Sequence, residues 1–479
     1  MSRRRVGAAT AAVAAAAVAA APDPALAHGL VGRQDLPIPR WMFAWAAVTV
    51  LVASFAALAA LWPRPRLQTL EERVVRRVPA LLDPVCGAIG VAVFAIVVYA
   101  GLAGSQTANA NLAPTFVYVI FWVGLPIASL LLGDVFRAFN PWRAIARCVA
   151  WGSRRLGAVA DAEPLPYPPW LGRWPAALTI LAFAWVELVY VGRDDPSRLA
   201  ILALAYAAVQ LVGMALYGIE RWEERADGFG VYFGLFAALS PLRWRRGALL
   251  VRRPLEGVVG MLTVPGGVAL VLVGIGTTSF DGFTNGTLWN GSGGGGGIAG
   301  FLTDRFASLG LGAENALMAA FSVGLVAMVL FVSALYRLGV QGMHRIGGRY
   351  AARDLSRRFG HTLVPIALAY IVAHYFSLLA YQGQATGYLI SDPLGRGSDL
   401  FGTASATIDY GIIGATGIWY VQVGALVAGH VCGLVLAHDR ALATYRNPRD
   451  ATRSQYWMLA VMVAFTSLGL WILSAAASQ

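Results

Sequence analysis

Six ionisable side chains fall inside long apolar runs or at their borders: Asp134, Glu187, His361, His374, His430 and His438. Ionisable groups in hydrocarbon are costly, so each is a candidate proton carrier, general base or metal ligand. Depth separates them. Asp134 stands at the arginine-bearing end of its run beside Arg137, which suits a structural ion pair. His361 and His438 lie at the same border and His344 in an arginine-rich loop, where solvated imidazoles are ordinary. Glu187 lies in the outer half of its run, within WVELVY, where the segment carries no arginine. Asp194 follows seven residues later and returns to nearly the same face about 10 Å higher if the helix continues, with Tyr190 between them. Such an acidic stripe would make a wall for a cation, proton or metal; a glutamate hydrogen-bonded to a neighbouring helix is an equally good reading. His374, followed by Tyr375, has a comparable outer depth, and His430 is nearer the middle of its run.

Helical geometry limits the pairings. His361 and His374 are about 20 Å apart along an axis and His430 and His438 about 12 Å, while His430 and Cys432 point about 200° apart. No single helix therefore offers two ligands to one metal. A site must be assembled between helices, for example from Glu187 and His374; a packing role is the plainer fate of a lone helical histidine. The run from Thr277 to Phe283, followed by Trp289, reads as a compact polar-aromatic turn. It would either close over a ligand or anchor at the interface, and its Asp281, like Asp194, suits a cation. If a leader ends at Ala27, the amine and imidazole of His28 can chelate one metal, copper above all; cleavage that merely falls before a histidine is the simpler view. The candidate catalytic groups are thus Glu187, His374 and Asp281, and the candidate ligands of a divalent metal are His28, Asp194, His374 and His430.

The elements that must position these groups are legible in the charge pattern. Of 479 residues only 13% are charged, against about 25% for soluble domains. All 37 basic residues are arginines. Ten apolar segments approach the roughly 20 residues needed to cross a bilayer: 41–62, 85–104, 115–135, 175–192, 199–217, 257–277, 315–336, 360–382, 416–437 and 456–475. The loops 63–84, 136–174, 218–256, 337–359 and 438–455 hold five, six, seven, six and four arginines, whereas the intervening loops hold none, two, one and one. Lys and Arg collect on the cytoplasmic side. The expected class is an all-α polytopic plasma-membrane protein with both mature termini outside. A basic n-region, an alanine-rich stretch and Ala25-Leu26-Ala27 read as a signal peptide over 1–27, or else as an uncleaved anchor, leaving one helical domain over 28–479.

The run 228–242 is apolar but short and arginine-flanked, so an interfacial or re-entrant cytoplasmic segment is expected. Pro265-Gly266-Gly267 interrupts the sixth segment and Pro126 and Pro365 the third and eighth, as in transporters whose broken helices line cavities, or as ordinary kinks. Asn140-Pro141, Ser240-Pro241 and Asn447-Pro448 read as helix caps. The net charge of +12 flanks apolar runs, which favours the lipid bilayer over nucleic acid as partner. Three cysteines without a C-x-x-C pair argue neither a disulfide framework nor a zinc ribbon.

The run HGLVGRQDLPIP from His28 to Pro39, the Ser279-Phe280-Asp281-Gly282 stretch, Gly429-His430 and His438-Asp439-Arg440 together resemble bacterial polytopic membrane proteins grouped as fenitrothion hydrolases. The resemblance spans most of the chain from His28. It implies a membrane-bound hydrolase of lipophilic organophosphorus triesters, and carries no catalytic residue with it. From the residues alone, a transporter or a copper- or haem-linked membrane subunit stands as the competing class.

Overall fold

The computed structural model describes residues 40–156, 163–245, 247–291, 296–346 and 350–476. The leader, His28 and Arg33 lie outside them. The helices are α1 (Arg40–Leu61), α2 (Leu82–Ala103), α3 (Leu112–Leu132), α4 (Pro141–Arg155), α5 (Trp174–Leu188), α6 (Pro196–Tyr217), α7 (Ile219–Arg225), α8 (Gly228–Ala237), α9 (Gly267–Thr284), α10 (Gly297–Ser308), α11 (Ala313–His344), α12 (Val364–Gln382), α13 (Ala415–Thr444) and α14 (Pro448–Ala476). Short strands β1 (Glu72–Arg77), β2 (Leu242–Arg245) and β3 (Ala248–Arg252) complete the set. Among the described residues seven helices are long and apolar enough to cross a membrane: α2, α3, α6, α9, α11, α12 with the turn before it, and α13. The chain is an all-α multi-pass membrane protein by that measure.

Two compact units divide the chain where sequence patterning suggests one domain. The first takes in the described residues of Met1–Thr69, Val271–Phe376 and Ile413–Gln479, the second Leu70–Leu270 and Ser377–Ile412. In the first unit α14 packs along α11 and α13, and α1 lies against α13 and α14. A close crossing is made by a G-x-x-x-G step, Gly429 and Gly433 of α13, which meets the start of α12 and the turn before it. A β-carbon on Gly429 would overlap the Ala369 side chain and stand 2.7 Å from the Pro365 carbonyl oxygen; one on Gly433 would stand 2.8 Å from that of Thr362. Small residues let helix backbones approach in this way.

In the second unit α2 packs on α4 and α6, and α8 on α5 and the end of α3. With 10 residues, α8 is about 15 Å long at 1.5 Å per residue, too short to cross. It is buried on nearly every side, with Tyr232, Phe233 and Phe236 fully covered. An interfacial helix would leave one face open, whereas α8 is enclosed by protein.

Other expectations are corrected by local chemistry. The sixth apolar segment is expected to run over 257–277, but α9 begins at Gly267, and Pro265-Gly266 precede it with Gly266 at φ 75°. The proline break therefore starts the helix instead of interrupting it. At the other end, Ser279 to Gly282 are helical and not a turn; the helix closes when Thr284 Oγ1 and Asn285 Nδ2 donate to the Asp281 carbonyl at 2.7 and 3.1 Å. Asp134 forms no side-chain ion pair with Arg137 but caps the next turn, accepting from its backbone N–H at 3.1 Å. Asn140 and Asn447 cap helices as expected, while Ser240-Pro241 leads into strand β2.

Candidate functional site

The first unit brings Asp281 and His374 together. On α9, Phe280 and Phe283 pack on Trp289, with ring centroids 5.2 and 5.9 Å away, and Gly324 leaves the room that the Trp289 and Phe280 rings fill. Those anchors set the rotation of α9, and Asp281, one residue on from Phe280, is turned toward α12. There His374 Nε2–H donates to Asp281 Oδ2 at 2.8 Å, and the Tyr375 hydroxyl donates to the same oxygen at 2.8 Å. The His374 and Asp281 side chains are 19% and 20% exposed, so the pair is shielded but reachable. Beside it lies a small recess of about 20 Å³ lined by Thr278, Ser279, Tyr370, His374, Leu426 and Gly469. A water needs about 10–15 Å³ of such space and ligand pockets usually run from roughly 300 to 1,000 Å³, so the recess has room for a water and not for a triester.

A carboxylate bound to one imidazole nitrogen fixes the tautomer, leaves the other nitrogen basic, and stabilises the imidazolium once a proton arrives. Asp281 and His374 are in that relation. The Ser279 hydroxyl, 1% exposed, lines the recess and has no hydrogen-bond partner among the described residues.

The remaining sequence candidates are placed elsewhere. His430 is wholly buried in α13; its Nδ1–H donates to the Leu426 carbonyl at 2.7 Å, which leaves Nε2 as an acceptor without a partner among the described residues. Its ring centroid stands 6.3 Å from that of Tyr370. Glu187 and Asp194 belong to the second unit; the carboxylate on His374 is Asp281. The continuous acidic stripe is not formed. Helix α5 ends at Leu188 because Asp195 and Pro196 start the next one, Asp195 capping the N–H groups of Ser197 and Arg198 at 3.0 and 3.2 Å. Asp194 thus lies in a turn, 69% exposed and 3.7 Å from Arg193. Tyr190 receives a hydrogen bond from Arg198 at 2.8 Å. Glu187 itself stands near enough to Tyr118 and Tyr232 for its charge to act on both. Among the described residues no three His, Cys, Asp or Glu side chains gather as a metal site.

The border histidines are more buried than their position in sequence suggests. His361 and His438 are each 1% exposed, and the ring nitrogens of His438 stand 3.2 Å from Gln455 Oε1 and 3.0 Å from the Trp62 carbonyl. Asp439, fully buried, accepts from Trp62 Nε1 at 3.0 Å, from Leu67 N at 3.1 Å, and from Arg66 N and Gln68 Nε2. This clasp holds the segment after α1. Of His344, His361 and His438, His344 alone is solvated, its Nδ1 standing 2.9 Å from the Tyr350 carbonyl.

The second unit has its own buried carboxylate, which sequence reading passed over. Asp227, fully buried before α8, accepts from Asn140 Nδ2 at 2.9 Å and Trp142 Nε1 at 2.8 Å on one oxygen. The other oxygen accepts from the Tyr206 hydroxyl at 2.7 Å and Gly230 N at 3.1 Å. Four donors fill its acceptor sites, which makes it a structural hub. The Asp-Gly step before an apolar run was a capping signal available in the sequence. Glu223, also buried, has Arg137 at 3.4 Å and Arg143 at 3.5 Å, neither in hydrogen-bond geometry. Burial outweighs both arginines and pushes its carboxyl up to about 7.

Fold and site therefore define an all-α membrane protein with a shielded carboxylate–imidazole–phenol group beside a small recess. No family model matches the chain, and neither a curated protein nor a solved structure matches it.

Proposed function

We propose that the protein is a multi-pass plasma-membrane hydrolase of lipophilic organophosphorus triesters, with His374 as general base and Asp281 as its orienting carboxylate. The 2.8 Å contact between them beside the recess carries this reading. The proposed topology has ten spans, a cleaved leader and both mature termini outside, which puts the pair in the outer half of the bilayer, on the arginine-poor side. A lipophilic triester reaches that depth by partitioning into lipid and stands at the mouth of the recess, which has room for the attacking water. His374 takes a proton from water through Nδ1; the water oxygen bonds to phosphorus as the bond to the aryl oxygen breaks, and the aryl oxide leaves and later takes up the proton. Asp281 holds the imidazolium that forms, and Tyr375 fixes the carboxylate.

The test is product release from a chromogenic aryl dialkyl phosphate by purified protein in proteoliposomes, with and without chelator. His374→Ala and Asp281→Asn are expected to lower turnover by at least the 10²–10⁴-fold that a general base contributes. Turnover unchanged in both variants, or uptake of intact triester without product in the wild type, overturns the reading; the second result belongs to a transporter.

A further inference from the structure

The arginine-rich loops 63–84 and 218–256 do not stay irregular. They pair as a three-stranded antiparallel sheet in the order β1-β3-β2. Directly paired residues share a face. Leu242 pairs with Val251 and Val251 with Arg73; Trp244 pairs with Leu249 and Leu249 with Arg76. Arg73 and Arg76 are three residues apart, which on a regular strand would put them on opposite faces. The register shift between Val74 and Arg76 supplies one extra residue and returns Arg76 to the side of Arg73. One face therefore has two arginines on the edge strand and four apolar side chains behind them.

That face is open and is set at the depth of a helix end. Trp244 is 42% and Val251 37% exposed, and Arg73 and Arg76 are exposed with no ion-pair partner among the described residues, whereas their neighbours Arg243 and Arg253 pair with Glu72 and Glu71. Trp244 Nε1 donates at 2.6 Å to the carbonyl of Leu132, the last residue of the membrane helix α3. Gly133, at φ 84°, makes this contact possible, since a β-carbon there would stand 2.8 Å from the Leu242 carbonyl. Leu131 and Leu132, 61% and 54% exposed, end the apolar surface at this level. Interfaces of a bilayer collect tryptophan, and arginine forks match phosphate oxygens.

We propose that this sheet face is a binding site for the phosphodiester headgroups of anionic phospholipids, Arg73 and Arg76 taking the phosphate while Trp244 and Val251 lie on the glycerol and upper acyl region. It rests on the membrane character of the chain and not on the hydrolase reading; the arginine ladder assigns it to the cytoplasmic leaflet. Each arginine near an anionic surface is worth about 1 kcal/mol, or about fivefold. Arg73→Gln with Arg76→Gln is therefore expected to lower the preference for phosphatidylglycerol over phosphatidylcholine about 30-fold, read as lipid retained by the purified protein in native mass spectrometry. An unchanged preference, with an unchanged melting temperature, overturns the proposal. A spin label on Val251→Cys in a background lacking Cys148 and Cys432 checks the depth. Faster relaxation by oxygen than by an aqueous nickel chelate supports the site. The reverse order, or a shielding that grows with protein density and not with lipid, shows water or a second copy on this face and refutes it.

Discussion

Asp227→Asn tests whether the second unit is organised around a charged hub. The asparagine amide has one oxygen and one NH₂ where the carboxylate had two oxygens, each receiving two donors. With the NH₂ toward Asn140 and Trp142, both donors are orphaned, and Asn140 cannot flip without releasing the Arg143 N–H that it caps at 3.0 Å. The better orientation puts the NH₂ toward Tyr206, whose hydroxyl can rotate to accept, and orphans only Gly230 N. A buried unsatisfied donor costs about 1–3 kcal/mol, and each remaining hydrogen bond falls from the roughly 1.5–3 kcal/mol of a charged pair to about 1, net of desolvation. The total is about 2.5–9 kcal/mol, or a fall of roughly 10 °C or more in melting temperature for a unit of this size. Cys86 on α2, 9% exposed, reports the unfolding of this unit to a thiol-reactive dye once Cys148 and Cys432 are replaced. Tyr206→Phe, which removes a single donor, should cost about 1.5–3 kcal/mol. A loss below about 1 kcal/mol for Asp227→Asn would refute the charged-hub argument, because the resident group would then be neutral or hydrated.

Glu223 sets a pH dependence. Burial raises its folded carboxyl to about 7 from its ordinary value of 4.5, so the folded state binds the extra proton. Its contribution is fully present below the unfolded value and is lost as pH rises through about 7. Melting temperature is expected to fall between pH 5 and 8 in the wild type, and Glu223→Gln should flatten that slope; a parallel slope in the variant contradicts the assignment. At the helix crossing of the first unit, Gly429→Ala should destabilise by about 1–3 kcal/mol through overpacking. Gly424→Ala on the same helix, where a β-carbon meets nothing within 4 Å, should be neutral or slightly stabilising, and equal melts for the two would remove the argument.

The membrane class was legible from hydropathy, since a run of apolar residues must lie in lipid or in a core whatever it packs against. Several segment boundaries agree within a few residues, such as 199–217 against α6, Pro196–Tyr217. Local capping was equally readable at Asn140 and Asn447, because a cap involves only neighbours in sequence. The sidedness of the arginines identified Glu187, His374 and Asp281 as worth attention, but did not pair His374 with Asp281. Depth along one helix says nothing of which face a neighbour presents. That choice was made by packing: Phe280 and Phe283 against Trp289 set the rotation of α9, and the ring of His374 met Asp281, 93 positions away in sequence.

The burial of His438 and Asp439 was likewise hidden, since their cover comes from residues 62–68. The sheet of β1, β2 and β3 could not be seen in loops read as arginine-rich linkers, because its pairing joins segments about 170 residues apart and its one functional face depends on a bulge. What the sequence by itself determined was which residues cannot tolerate water and which cannot leave it. Only the tertiary structure decided which charged groups touch, because hydrogen bonds act over about 3 Å and that scale is set by side-chain packing between helices.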